Sequence, residues 1–255
     1  MGKILHIAIV AIFLLMSSET SKATTIEPSR DGISLQDTLN GITVGGQSST
    51  KASGTINDAI TNDAYWSIDG SGGAISTFIM EISNLSNTNT FGIYDRTDPS
   101  KTVEIFSGMD STGDQISISI CADGNVYFNG CSGRFATDSG VAFSGNSFGF
   151  YINSGGNVFY SDSILNNDGA DHMVAFHGTG TDMIQIPGYA AGKWDTNEYI
   201  FAWDDWSNGG DRDYNDFIVM VESISPRSVP EPSTLLLIGS GLAGLGIIGY
   251  HRFRK

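Results

Sequence analysis

Between two apolar ends, the chain sustains no helical period. It runs instead through short alternations of apolar and polar residues, each bounded by Gly, Asn, Asp or Ser. The cleanest is "DQISISICA", where Ile116, Ile118 and Ile120 fall on one face of an extended segment with serines between them. A period of two sets alternate side chains on opposite faces, which is the pattern of a half-buried strand. "AISTFIMEIS", "TFGIYDR", "KTVEIFSG", "NVYFNG", "SFGFYINS", "NVFYSDS", "DHMVAFHG", "NEYIFAWDD" and "DFIVMVES" are further such runs. Nine or ten strands at hairpin spacing predict one all-β domain, an antiparallel β-sandwich of jelly-roll type. Residues 24–60 are more polar, and Ile33–Leu39 is the one short helix predicted there.

The two ends read differently. Lys3, the apolar run Ile7–Met16, and Ser21 and Ala23 at the minus-three and minus-one positions have the layout of a cleavable secretory signal, residues 1–23. At the other end, Thr234–Tyr250 carries no charge. Its 17 residues make a helix of about 25 Å, enough for a short transmembrane span. His251, Arg252, Arg254 and Lys255 follow, so the tail is predicted to stay cytoplasmic. Pro230, Glu231 and Pro232 hold extended backbone just before the span.

This last constellation, Pro-Glu-Pro, then a Gly-rich apolar helix, then a basic tail, resembles the PEP-CTERM sorting signal. The resemblance implies a Gram-negative bacterium, export through the general secretion route, and recognition of residues 230–232 by the membrane protease-transpeptidase exosortase. It also implies an association with extracellular polysaccharide. The expected layout is a signal at 1–23, an exported domain at 24–229 and a sorting signal at 230–255. The expected location is the inner membrane before processing, through the C-terminal helix, and the cell surface or exterior afterwards.

The exported part holds 8 of the 13 basic and 26 of the 28 acidic residues, a formal charge near −18. Such a body disfavours nucleic acid as a partner and favours cations. Cys121 and Cys131 are the only cysteines. In an exported chain an even pair predicts a disulfide, with two buried thiols as the other reading. They bracket "ADGNVYFNG", a segment with its own turn signals.

Outside the two ends, histidine occurs only as His172 and His177. Their odd offset in a strand places them on opposite faces, against a shared zinc site. No HExxH and no G-x-S-x-G elbow is present. The densest polar stretch is "WDDWSNGGDRDYND", which carries Asp204, Asp205, Asp211, Asp213, Asn215 and Asp216. Asp211, Asp213, Asn215 and Glu222 match positions 1, 3, 5 and 12 of an EF-hand loop. Position 6, which needs glycine, is Asp216, and a strand pattern follows, so the segment is not an EF-hand. Two readings stay open. If the turn folds Asp204 and Asp205 back on Asp211 and Asp213, calcium would relieve the repulsion among the acids. Alternatively, the Asp and Asn side chains cap the turn through backbone hydrogen bonds.

"DSILNNDGADHMVAFHG" and "EYIFAWDDWSNGGDRDYNDFIVMVES" resemble an uncharacterised β domain found upstream of PEP-CTERM tails, over roughly residues 75–225. That domain brings no established activity. The expected function is a non-enzymatic exported protein of the bacterial envelope or biofilm matrix that binds calcium or glycan. Trp66, Trp194, Trp203 and Trp206 are candidates for stacking on sugars, core positions being the ordinary fate of tryptophan. The alternative is a glycosidase or lyase acting on matrix polysaccharide through acidic residues.

Overall fold

The computed structural model describes residues 24–30, 32–56, 59–69, 74–81, 89–208, 210–228 and 240–241. The predicted signal and nearly all of the predicted span lie outside these residues. Among those described, no helix is long and apolar enough to cross a membrane.

Two antiparallel sheets make the body. The seven-stranded sheet runs β12 (Met173–His177), β15 (Glu198–Trp203), β16 (Phe217–Glu222), β4 (Ala74–Glu81), β7 (Gln115–Ile120), β8 (Asn125–Phe128) and β9 (Thr137–Ala142). The six-stranded sheet runs β17 (Ile224–Pro226), β3 (Trp66–Ile68), β10 (Phe148–Ser154), β5 (Thr90–Asp95) and β6 (Asp98–Phe106), with β11 (Asn157–Tyr160) also paired to β10. Two small pairs complete the set, β1 (Thr24–Ile26) with β2 (Gly54–Ile56) and β13 (Met183–Ile184) with β14 (Gly192–Lys193). Each of the ten alternating segments forms a strand. The antiparallel all-β class is as expected, while jelly-roll winding is not part of what the sheets show.

The sheets meet through an aromatic core. Tyr199, Phe201 and Trp203 of β15, and Phe217, Val219 and Val221 of β16, point at Trp66, Phe91, Phe148 and Phe150 of the facing sheet. Ring centroids lie 4.8 Å apart for Trp66–Tyr199 and for Phe150–Phe201, and 5.5 Å apart for Phe91–Phe217. The alternate residues of the same strands, Ile200, Ala202, Ile218 and Met220, are buried on the opposite face. Both faces of this sheet are therefore covered, which is why β15 and β16 read as nearly unbroken apolar runs.

The second cover is the N-terminal segment. Helix α1 (Leu35–Ile42) buries Leu35, Leu39 and Ile42 against that face, with Ile26 and Ile56 beside them. Ser34 and Asp37 form a reciprocal capping box at its start. The helix starts two residues later than the predicted Ile33–Leu39, because Ser34 takes the capping position and excludes Ile33. Cys121 and Cys131 are joined, with Cα atoms 5.7 Å apart, at the β7–β8 hairpin. A loop closed over a separation of 10 residues removes about 3 kcal/mol of unfolded-state entropy on the chain-entropy view.

On its outer face the six-stranded sheet carries two reciprocal glycine–tyrosine pairs. Tyr94 stands opposite Gly149, and Tyr151 opposite Gly92. A Cβ on Gly149 would fall 2.2 Å from the Tyr94 ring. The rings lie across the glycines, and no other residue leaves them room. Gly149→Ala is expected to destabilise the domain by about 1–3 kcal/mol through overpacking. Gly145→Ala, where nothing lies within 4 Å, should stay close to wild type in the same urea titration.

Candidate metal centre

The register of β15 and β16 fixes where the acidic stretch lies. Trp203 pairs with Phe217, so residues 204–216 form the connection across one end of the seven-stranded sheet. Asp204 N donates to His172 O at 3.0 Å, and Asp216 N to Trp203 O at 3.2 Å. The two acids thus stand at the feet of the loop. Asp211 reaches back between them, and single carboxylate oxygens of Asp204, Asp211 and Asp216 lie within 4.8 Å of one another. Asp204 is buried, and the other two are half-buried.

The loop is bent to this shape at some cost. Asn208, Arg212 and Tyr214 all have left-handed φ, a conformation that is uncommon outside glycine. Gly210 is left-handed too, and a Cβ on it would overlap the Asp204 carboxylate. Backbone therefore closes directly on this acid. Asp204 Oδ2 accepts from Arg212 N at 2.6 Å and Oδ1 from Trp206 N at 3.2 Å. Asp216 Oδ2 accepts from Asp205 N at 2.9 Å. Turn capping and carboxylate convergence thus occur in the same loop. Asp211 accepts no hydrogen bond from any described residue.

The other acids of the stretch have separate duties. Asp205 Oδ2 accepts from Asn89 Nδ2 at 3.1 Å and Ser154 Oγ at 3.0 Å, which ties the loop to the facing sheet. Asn215 Nδ2 donates to Ile33 O at 2.7 Å and to Ser29 Oγ at 3.2 Å, which holds the N-terminal segment. Asp213 is buried beside Asp216 and raises its proton affinity. Asn89 and Ser154 carry no motif of their own and only the facing sheet brings them here, so sequence pattern does not find them. Asp168 is a further supporting residue: its Oδ2 accepts from Asn208 N at 2.6 Å and lies 3.1 Å from His172 Nε2. Burial raises the Asp168 pKa, but the hydrogen bonds from Ala170, His172 and Asn208 outweigh it and hold the group at about 2. His172 is buried against the Phe159 ring, and His177 is exposed. Of the four tryptophans, Trp66, Trp194 and Trp203 are core residues and cannot stack on a sugar; only Trp206, 69% exposed, is presented to solvent, and it sits within this loop.

Two concave features lie elsewhere. A groove of about 500 Å³ runs between the N-terminal strand pair and the start of α1. A smaller cleft of about 200 Å³ is lined by Ile184, Tyr189, Met220, Glu198 and Glu222. Glu198 and Glu222 are directly opposite across β15 and β16, and burial raises both pKa values.

Residues 111–224 match a domain of unknown function, DUF4114, and residues 228–255 match the PEP-CTERM protein-sorting motif. The sorting motif implies export and recognition by exosortase. No curated protein and no solved structure matches it. The sorting match begins two residues before Pro230. The DUF4114 match begins at 111, well inside the roughly 75–225 of the sequence resemblance. The folded unit is larger than the DUF4114 match, because β4 sits between β16 and β7 at the centre of the seven-stranded sheet.

Burial, and then the nearby Asp205, push the Asp216 carboxyl up to about 8, against an ordinary value near 3.8. The folded state therefore holds a proton that the unfolded state releases between those pH values, so stability falls as pH rises through that window. In chelator-treated protein, the stability advantage of Asp216→Asn over wild type should grow from pH 4 to pH 8 in denaturant titrations. A difference independent of pH would contradict the assignment.

Proposed function

We propose that this protein is a non-enzymatic component of the bacterial envelope or extracellular polysaccharide matrix, and that its β domain binds calcium at Asp204, Asp211 and Asp216. The observation that carries the reading is the convergence of three carboxylate oxygens in a loop whose backbone closes on them. Hard oxygen donors in an irregular loop suit calcium better than magnesium, which demands stricter octahedral geometry. Zinc would call for His or Cys, and neither joins the cluster. Asp205 and Ser154 link the loop to the facing sheet, so an ion here would brace both sheets at one end. Exposed Trp206 beside the ion site offers an apolar face to a sugar ring, which supports polysaccharide as the partner.

Calcium at a hundredfold excess over Kd should stabilise the folded state by about 2.7 kcal/mol. Asp211 accepts no hydrogen bond from the described residues and faces like charge, so Asp211→Asn should melt at or above chelated wild type and lose the calcium shift. Magnesium should shift wild type much less. A melting temperature unmoved by calcium at fixed ionic strength would leave the loop with turn capping alone.

A second reading, a glycosidase or lyase acting on matrix polysaccharide, has its own observation in the Glu198–Glu222 pair. Two opposed carboxyls with raised pKa values in a cleft with Tyr189 have the makings of an acid–base pair. Its signature would be release of sugar fragments by the purified domain, lost in Glu222→Gln. Glycan binding without fragment release would count against it.

A further inference from the structure

The folded body ends almost where the sorting motif begins. β17 is an edge strand, paired to β3 through Ile224↔Ile68, Ser225↔Ser67 and Pro226↔Trp66. Ile224 is fully buried in the core between the sheets. The anchoring continues past the strand. Arg227 N donates to Tyr65 O at 2.7 Å, and its Nε donates to Ser67 Oγ at 2.6 Å. Arg96 donates to Ser228 O at 3.5 Å while its guanidinium stacks 4.5 Å from the Tyr65 ring centroid. With its amide turned to suit, Asn62 bridges Arg227 O and Ser228 N at 3.2 and 3.1 Å. Ser228 is thus held by the fold, and Pro230 is two residues on.

Chain reach turns this into a constraint. Two extended residues span at most about 7 Å, and the six from Ser228 to the start of the predicted span at Thr234 reach about 20 Å. An enzyme that grips Pro230–Pro232 within that distance cannot avoid the end of the domain from which Ser228 emerges. Pulling β17 away to gain slack would expose Ile224 and break its pairing with β3. The same end presents Arg96 and Arg227, two of the eight basic residues of the strongly acidic exported part.

We infer that the end of the domain formed by Asn62–Tyr65, Arg96–Thr97 and Arg227–Ser228 is a docking surface for exosortase, brought against the enzyme by the absence of a linker before the sorting motif. The inference rests on the sorting reading of the C-terminus. It makes the folded domain, as well as the tail, part of what the enzyme meets.

The experiment uses the full-length chain in a host that carries its exosortase. A photo-crosslinking residue is placed at Asn62, at Thr97 or, as a control beyond the other sheet, at exposed Val44. Asn62 and Thr97 should give adducts with exosortase, and Val44 should not. A Gly/Ser insert of about ten residues between Ser228 and Val229 frees the body and should lower the adduct yield several-fold. The insert lies outside the last anchored residue, so the melting temperature should stay unchanged. Equal adducts from all three positions, adducts with lipid alone, or a yield unaffected by the insert would overturn the inference. Mass spectrometry of the mature wild-type chain separates the two claims. Retention of Lys255 would mean that the sorting reading itself has failed. Tail removal without adducts at Asn62 and Thr97 would refute the docking surface alone.

Discussion

The structure depends on burying both faces of the β15–β16 pair. One face packs rings against the six-stranded sheet, and the other packs aliphatic residues against α1 and the first strands. Each fully buried large side chain contributes about 1.5–3 kcal/mol, so these two strands hold a disproportionate share of the hydrophobic stabilisation. Their rigidity also positions the acidic loop. Asp204 and Asp216 extend directly from strand ends whose pairing is fixed on both sides, so their separation is set by the sheet rather than by the loop.

That arrangement creates an electrostatic conflict. Strand geometry brings Asp204 and Asp216 together, and burial raises the proton affinity of both. Backbone donors from Arg212, Trp206 and Asp205 satisfy part of the negative charge. They leave Asp211, which accepts nothing from the described residues, facing two like charges. A proton or a cation can settle the remainder, and the choice between them is a matter of pH and ion supply. Three left-handed non-glycine residues in the loop show that its shape is imposed by tertiary contacts and not by local preference.

Much of this was legible in the sequence where one physical rule dominates. Alternation marked strands such as β7; β15 and β16 were also read as strands, but their burial on both faces was not. Composition placed Cys121 and Cys131 as a candidate bridge. Other features depend on partners far away in the chain. β9, with its exposed polar pattern, and the short strands β1, β2, β13 and β14 bury too little to leave a periodic trace. Which acids of the 204–216 stretch converge was equally hidden. Asp205 and Asn215 look like ligands by type, yet Asn89, Ser154 and Ile33 engage them from distant segments. The tryptophans divide for the same reason, since exposure is decided by the sheet and not by the residue.

The N-terminal cover has a consequence for the order of events during secretion. An exported chain crosses the membrane N-terminus first, so β1 and α1 emerge before anything else in the domain. Their docking face belongs to β15 and β16, which emerge near the end. Leu35, Leu39 and Ile42 must therefore wait, exposed, until almost the whole domain has been delivered. Contacts of such sequence separation are slow to form and leave apolar surface open to aggregation meanwhile. β17 completes the six-stranded sheet only when the chain has passed residue 226. Closure of the body and arrival of the sorting motif are then nearly simultaneous, since only Val229 separates the last anchored residue from Pro230.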